Sequence, residues 1–170
     1  MKNHRPILRL FLCAALAGTS LAQTAVPASP PPLAPESHQF DFWLGDWDVG
    51  NNGAGSRIES IAEGRGILEN WRDASGTTGK SLNVYNSVKK CWQQFWVGNG
   101  TPVLELSGGL VDGSMVLAGD RPLRAGGTIR DRITWTPNPD GTVRQQWEIS
   151  KDGGQTWQTI FNSVYRRKKP

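Results

Sequence analysis

Hydrophobic and polar positions alternate along most of the chain after residue 46, in short stretches without a sustained 3.6-residue period. In residues 142–149, for example, Val143, Gln145 and Trp147 share one face, and Arg144 and Glu148 lie on the other. This two-residue period is typical of β-strands. It predicts ten strands, at residues 46–52, 56–63, 66–72, 79–86, 90–98, 102–107, 113–119, 127–136, 142–149 and 157–167.

Glycine beside Asn, Asp or Glu separates many of these stretches. Such residues supply the positive-φ positions that tight hairpins need. Short hairpins without intervening helices favour sequential antiparallel pairing, and a long run of paired strands would expose its edges unless the sheet closed. The sequence therefore predicts an all-β fold, a single antiparallel up-and-down β-barrel of about ten strands. The turns are predicted at Asn51-Asn52-Gly53, Glu63-Gly64, Gly98-Asn99-Gly100, Asp112-Gly113 and Asp140-Gly141.

An aromatic segment precedes the first predicted strand. Between Phe40 and Trp47 the chain also contains Phe42 and Trp43, and Gly45 allows a tight turn before the strand begins. We expect residues 38–47 to close one end of the barrel as an N-terminal plug. Phe42, Trp43, Gly45 and Trp47 are its predicted structural residues.

The first 22 residues resemble an export signal. Lys2, Arg5 and Arg9 precede an apolar run at residues 10–17, and small residues at positions 20 and 22 predict cleavage before Gln23. The apolar run is too short for a membrane anchor. Residues 23–37 are rich in proline and predict a flexible linker, followed by the barrel domain at residues 38–170. The protein is expected in the periplasm or outside the cell.

Charge and composition narrow the possible functions. The chain has 19 basic and 15 acidic residues, but the leader contains three of the basic ones and the last residues 166–169 contain four. A basic stripe over the body of the domain, which nucleic-acid binding requires, is absent from the sequence. Eight tryptophans and a low charged fraction of 20% instead predict a folded core. No nucleic-acid partner is expected.

Candidate metal and catalytic residues are few. After cleavage the chain would keep one cysteine, Cys91, and one histidine, His38, which are far apart in sequence. Such residues form neither a disulfide nor a metal-ligand cluster. The sequence contains no nucleophile elbow, phosphate-binding glycine loop or zinc-binding helix motif. We therefore predict no metal, no cofactor and no catalytic residues of these types.

Residues 150–157 match the Asp-box pattern, Ser-x-Asp-x-Gly-x-Thr-Trp. The carboxylate of Asp152 can accept backbone N–H groups across a tight turn while Trp157 packs beneath it. Asp152, Gly154 and Trp157 are therefore predicted to stabilise a hairpin. A β-propeller is excluded, because the chain lacks internal repeats.

Aromatic and polar residues share faces within several predicted strands. A barrel of about ten strands has room for a small ligand, and such mixed walls suit one. The pattern leaves open which faces point inward. We predict that the protein binds a small, partly apolar or aromatic ligand in the lumen. The candidate binding residues are Glu69, Trp71, Asn83, Tyr85, Trp92, Gln94, Trp96, Arg132 and Glu148.

Two other functions stay open. A barrel with a packed interior could act through its surface as a protein-interaction module. Alternatively, Glu69 and Glu148 could face one lumen and form a carboxylate-based hydrolase, because glycoside hydrolysis needs two acids held a fixed distance apart.

Several motifs also carry a family resemblance. The chain resembles a family of exported bacterial proteins of unassigned function, related to lipocalin-like calycin barrels and nitrobindin-like barrels. The Gly-x-Trp at 45–47 is similar to the opening motif of lipocalins, in which the Trp closes the barrel base. The resemblance implies a ligand-binding barrel, but haem-binding nitrobindin-like barrels use a late histidine and this chain has none after His38. The motifs are at residues 40–49, 68–72, 79–85, 92–97, 132–137 and 152–157.

Overall fold

A computed structural model of the chain describes residues 30–169. The predicted leader, residues 1–22, and the first part of the predicted linker, residues 23–29, lie outside the described residues. The compact barrel unit begins at Pro32, ahead of the predicted start at residue 38. A short 3-10 helix forms at Pro35–His38, where the predicted linker meets the barrel domain.

Within residues 30–169 the chain forms ten antiparallel strands that close into one barrel. Each strand pairs with the next along the chain, and the last pairs with the first. The predicted up-and-down barrel is therefore confirmed. The strands are β1 (Gly45–Val49), β2 (Ala54–Ile61), β3 (Gly66–Arg72), β4 (Thr78–Asn86), β5 (Cys91–Gly98), β6 (Leu104–Val111), β7 (Ser114–Pro122), β8 (Thr128–Pro137), β9 (Val143–Ser150) and β10 (Gln158–Arg167).

The pairing register defines two ends of the barrel. Gly45, where β1 begins, pairs with Ile58 of β2, and Trp47 pairs with Arg167 near the end of β10. We call this end, which the N-terminal segment enters, the plug end. The connections β1–β2, β3–β4, β5–β6, β7–β8 and β9–β10 lie at the opposite end, which we call the open end.

The aromatic plug is formed by residues before and within β1. Phe40 and Trp43 are completely buried, with their rings stacked at 4.9 Å. Phe40 also meets Trp92 of β5 edge-on at 5.6 Å. The indole N–H of Trp47 donates a hydrogen bond of 2.8 Å to the backbone carbonyl of Trp43. The segment therefore closes one end of the barrel, as predicted.

Gly45 and Phe42 have different roles at the edge of this plug. Gly45 has a φ of +135°, and a Cβ there would collide with the guanidinium of Arg167. Only glycine therefore fits this entry into β1 without strain. Phe42 is half-buried, with its ring 5.5 Å from that of Phe40.

Strand β6 ends four residues later than predicted. β6 continues through Gly108 and Gly109 to Val111, whereas the sequence predicted its end at residue 107. Glycine pairs often mark turns, but here Gly108 allows a close approach of neighbouring backbone, since a Cβ would collide with the carbonyl of Val116. The turn follows at Asp112-Gly113, where both residues have positive φ.

None of the helices in the described part of the chain is long and apolar enough to cross a membrane.

Candidate functional site

The barrel lumen contains a cavity of about 130 Å³. We call it the lumen pocket. It extends from the level of the plug toward the open end, and its walls come from six of the ten strands and from the loop after β5. The residues that line it are Glu69, Trp71, Gln94, Trp96, Thr101, Leu104, Ile133, Trp135, Gln145, Trp147, Phe161 and Tyr165.

Four aromatic side chains surround the pocket on its open side. Trp71, Trp96, Trp147 and Phe161 are all half-buried. Trp71 and Trp96 meet nearly at right angles, with ring centroids 6.2 Å apart and an interplanar angle of 68°. Two flat apolar walls at this angle suit a small ring or a compact apolar group.

The position of Trp96 is fixed by two neighbours. A Cβ on Gly79 would collide with the indole ring, so glycine at this position of β4 makes room for Trp96. The indole N–H then donates a hydrogen bond of 2.8 Å to Oγ1 of Thr101, in the loop after β5. Trp96 is therefore held in place by contacts within the protein.

Trp135 and Tyr165 separate the pocket from the plug. Both are buried and both contact Trp43, with centroid distances of 5.3 and 6.2 Å. The Tyr165 hydroxyl donates a hydrogen bond to Gln145. Among the described residues the buried indole N–H of Trp135 has no acceptor. The floor of the pocket thus combines aromatic surface with a few polar atoms.

Glu69 is the acidic residue of this pocket, and it belongs to a chain of polar side chains. Ser56 and Ser81 donate hydrogen bonds of 3.0 Å to its Oε1 and Oε2. The Asn83 amide donates to Oγ of Ser81 at 2.9 Å, and the Gln94 amide donates to Oδ1 of Asn83 at 2.8 Å. Because Asn83 donates to Ser81, the Ser81 hydroxyl proton is directed at the carboxyl group. The network therefore orients Glu69 in the lumen.

Burial changes the acidity of this carboxyl group. Desolvation raises the pKa of Glu69 to about 7, and the hydrogen bonds from Ser81 and Ser56 oppose that rise. The protonated and ionised forms are therefore both accessible near neutral pH. Such a group can donate a hydrogen bond, accept one or pair with a cation.

A buried ion pair supports one wall of the pocket. Asp131 of β8 is completely buried and accepts hydrogen bonds from Nε and Nη2 of Arg121, at 2.9 and 3.2 Å. The same carboxylate accepts the indole N–H of Trp147 at 2.9 Å. Arg121 and Asp131 also line a second cavity, of about 540 Å³, between the open-end parts of β6 and β7. Asp131 thus holds Trp147 in place from the open-end side of the inner face.

The structure brings together four of the predicted binding residues. Glu69, Trp71, Gln94 and Trp96 line the lumen pocket. Asn83 is buried behind Gln94 and reaches the pocket only through the hydrogen-bond network.

Two predicted binding residues lie elsewhere in the lumen. Trp92 packs against the plug, and its indole N–H donates to Gln39. Tyr85 contacts Trp92 at a centroid distance of 6.1 Å. Both residues therefore line the plug end and do not reach the pocket.

Arg132 and Glu148 are not in the lumen, contrary to the prediction. Their neighbours Ile133 and Trp147 point inward, so alternation places Arg132 and Glu148 on the outer face. There the Arg132 guanidinium donates to Oε2 of Glu148 from Nε and Nη2, at 3.0 and 2.8 Å. Glu69 lines the lumen pocket whereas Glu148 lies on the outer face. This pair of acids therefore does not support the hydrolase alternative.

Eight pocket residues were missing from the predicted set. Five of them are large aromatic residues and one amide from strands β8 to β10, and three are smaller: Trp135, Gln145, Trp147, Phe161 and Tyr165, with Thr101, Leu104 and Ile133. The sequence did place Gln145 and Trp147 on one face of their strand. The prediction did not assign this face to the interior, because Gln145 makes it mixed, although the opposite face with Arg144 and Glu148 is the more polar one.

The Asp-box forms the β9–β10 hairpin as predicted. Oδ1 of Asp152 accepts the backbone N–H groups of Gln155 and Thr156 at 3.0 and 2.9 Å, and the Ser150 hydroxyl at 2.7 Å. These hydrogen bonds lower the pKa of Asp152, with the Thr156 side chain contributing most. The indole N–H of Trp157 closes the turn on the Gly154 carbonyl at 3.0 Å. The hairpin is a structural element at the open end.

Within residues 30–169, no three His, Cys, Asp or Glu side chains are grouped so that they could hold a metal ion. No protein-family model matches the chain, and a search of curated proteins finds no significant match. The function is therefore inferred from the pocket itself.

Proposed function

We propose that this protein binds a small, partly apolar molecule in the lumen pocket. The observation that carries the proposal is a cavity of about 130 Å³ with four aromatic side chains around its opening and polar atoms of Glu69, Gln94 and Gln145 on its walls. Aromatic surface supplies most of the contact area, and a few fixed polar groups orient the bound molecule. This combination favours binding over a fully packed interior.

The size of the cavity narrows the class of ligand. A dry apolar cavity of roughly 150 Å³ is enough for benzene, whereas drug-sized ligands need about 300–1,000 Å³. The lumen pocket therefore matches a single-ring molecule or a short branched chain. Haem and long-chain lipids are too large for the lumen pocket unless the four aromatic side chains around its opening rearrange.

Intrinsic fluorescence provides a direct test, because four of the eight tryptophans line the pocket. Benzyl alcohol, laurate, haem and glucose would each be titrated into the purified protein. We expect saturable quenching or a spectral shift with benzyl alcohol. No saturable response to any of the four would contradict the proposal.

A matched pair of variants would locate the binding. Trp96→Ala should weaken binding of benzyl alcohol, because it removes one of the two ring walls. Phe95→Ala changes the neighbouring side chain, which points outward and is 48% exposed, and should leave binding unchanged. Equal losses in the two variants would place the ligand outside the pocket.

A surface-interaction function is a second candidate, and one feature favours it. Leu82 and Phe95 are paired across β4 and β5 on the outer face, with 45% and 48% of their surfaces exposed. Adjacent exposed apolar side chains are typical of contact surfaces. Sedimentation of the wild type and of Phe95→Ser would test self-association through this face. A wild type that stays monomeric at all concentrations would exclude a second copy as the partner.

The place of action is proposed from the N-terminal sequence. The basic residues, apolar run and small residues of positions 1–22 support export, which would expose the pocket to molecules outside the cytoplasm. Mass spectrometry of the protein recovered from the periplasm or medium should find Gln23 at the N-terminus. Recovery of the full chain from the cytoplasm alone would contradict export.

A further inference from the structure

We propose that the ligand of the lumen pocket is a small amine whose ammonium group pairs with Glu69 while its apolar body lies against Trp71, Trp96 and Trp147. This inference rests on the proposed function and deepens it by naming the class of ligand. It depends on the charge of the pocket, on the arrangement of its aromatic rings and on the hydrogen bonds that hold the carboxyl group.

The described lining of the pocket has an acid but no base. Glu69 lines it, whereas none of the lining residues is Lys, Arg or His. The serines that bond to Glu69 carry no charge. A buried carboxylate without a counter-charge is costly, so a cationic ligand would supply what the protein itself does not.

Nearby basic residues are already paired with other groups. Arg121 donates two hydrogen bonds to Asp131 on the inner face beside Trp147. Arg132 is paired with Glu148 on the outer face. The carboxyl group of Glu69 is therefore left for a cation that enters through the open end.

The aromatic side chains suit a cation as well as an apolar group. Ammonium groups bind over the faces of aromatic rings, and tryptophan binds them best. Trp71 and Trp96 present two ring systems at 68° to each other, and Trp147 contributes a third from β9. Aromatic rings around an acidic residue form a cage for an amine. The same rings would not compensate the charge of an anion, which Glu69 would repel.

The hydrogen bonds of Glu69 leave room for such a partner. Ser56 and Ser81 each occupy one lone pair, on different oxygens of the carboxyl group. A carboxylate has about four acceptor positions, so each oxygen keeps one for a ligand N–H. A charge-assisted hydrogen bond of this kind is about twice as strong as a neutral one.

Ionisation of Glu69 makes amine binding depend on pH. Ser56 on β2 and Ser81 on β4 bond to the carboxyl group, and the other polar residues that line the pocket from the strands are Gln94 on β5, Gln145 on β9 and Tyr165 on β10. Of these only Tyr165 titrates, and burial raises its pKa well above 10. Amine affinity should therefore rise as the pH increases through the pKa of Glu69, about 7, while the affinity for a neutral ring stays constant.

The experiment compares three ligands of nearly equal size. Benzylamine, benzyl alcohol and benzoate share one ring and differ in charge. Each would be titrated at pH 8 into the wild type, Glu69→Gln and Glu105→Gln, the last of which removes an exposed acid from the outer face. In the wild type and in Glu105→Gln we expect benzylamine to bind about tenfold more tightly than benzyl alcohol, and benzoate most weakly. In Glu69→Gln the preference for benzylamine should disappear.

A calorimetric measurement on the wild type avoids dependence on any variant. Benzylamine binding at pH 7, repeated in two buffers of different ionisation enthalpy, should release protons from Glu69. Benzyl alcohol should release none.

The outcomes separate this inference from the proposed function. If benzyl alcohol binds but benzylamine binds no more tightly and releases no protons, the amine inference is overturned and the proposed function stands. If no ligand binds, both fail. If Glu69→Gln, shown to be folded by circular dichroism, keeps the full preference for benzylamine, then Glu69 is not the partner of the ammonium group and the inference is overturned.

Discussion

The indole N–H of Trp147 donates a hydrogen bond of 2.9 Å to Oδ1 of Asp131, and so joins a wall of the lumen pocket to a buried ion pair. Arg121 balances the charge of this carboxylate from β7, with 19% of its side chain exposed against none for Asp131. Side chains of β7, β8 and β9 are thereby connected on the inner face beside the pocket. The barrel wall and the binding site depend on the same carboxylate.

Loss of Arg121 should therefore be costly. Arg121→Ala leaves the Asp131 carboxylate buried without a counter-charge, which costs about 3 kcal/mol in free energy of unfolding. Urea denaturation would measure it. Arg130→Ala is the matched control, because its partner Asp120 is largely exposed, and it should cost less than about 1 kcal/mol. Similar losses of free energy of unfolding in the two variants would mean that the buried ion pair stabilises the barrel no more than the exposed one.

The plug should contribute more to the free energy of unfolding than the aromatic side chains around the opening of the lumen pocket. Trp47 is completely buried and bonded to the Trp43 carbonyl, so Trp47→Ala should lower the free energy of unfolding by about 3–5 kcal/mol. Trp96 is half-buried beside an existing cavity, so Trp96→Ala should cost clearly less and leave a folded barrel. Chemical denaturation of both variants would compare their losses in free energy of unfolding. A larger loss in Trp96→Ala than in Trp47→Ala would contradict the placement of Trp47 in the buried plug and of Trp96 at the opening of the pocket.

The fold could be predicted from the sequence because several signals agree. Alternation marks the strands, and positive-φ residues such as Asp112 and Gly113 mark tight hairpins. The end of β6 was misplaced, since Gly108 and Gly109 resemble a turn in sequence. They lie within a strand because the neighbouring backbone approaches Gly108 too closely for a side chain, and this contact is created only when β6 and β7 pair.

The site was only partly predictable, for a physical reason. Alternation separates Trp147 from Glu148, but Gln145 on the same face as Trp147 makes that face mixed, so the pattern alone did not assign it to the lumen. Closure of the barrel decides it, and Glu148 then satisfies its charge with Arg132 outside. Glu69 is the opposite case, a charged residue that does point inward, where two serines bond to it.

The Asp-box should stabilise the hairpin only while its carboxylate is ionised. Its hydrogen bonds lower the pKa of Asp152 below the ordinary value of 3.8, so its contribution is present above that pH and is lost as the pH falls further. Asp152→Ala should lower the melting temperature at pH 7, and the difference from wild type should shrink in strong acid. Lys151→Ala, an exposed change in the same turn, is the control. An unchanged melting temperature in Asp152→Ala would show that the hydrogen bonds contribute nothing.

Glu69 should make the barrel less stable as the pH rises. The unfolded chain loses this proton near pH 4.5, whereas the folded protein retains it until about pH 7. Between these values the folded state binds more protons, so the free energy of unfolding falls with increasing pH and becomes level above pH 7. Over the interval between the two pKa values, the free energy of unfolding should fall by about 3 kcal/mol.

Glu69→Gln isolates this effect, because the amide keeps the shape of the side chain and can bond to Ser56 and Ser81 but cannot ionise. Urea denaturation of the wild type and the variant at pH 5, 6, 7 and 8 should show Glu69→Gln gaining stability relative to the wild type across this range. Glu105→Gln, on the outer face, should show no such trend. A constant difference between Glu69→Gln and the wild type at all four pH values would mean that the folded and unfolded states ionise Glu69 alike. The carboxyl group would then not be desolvated by the lumen.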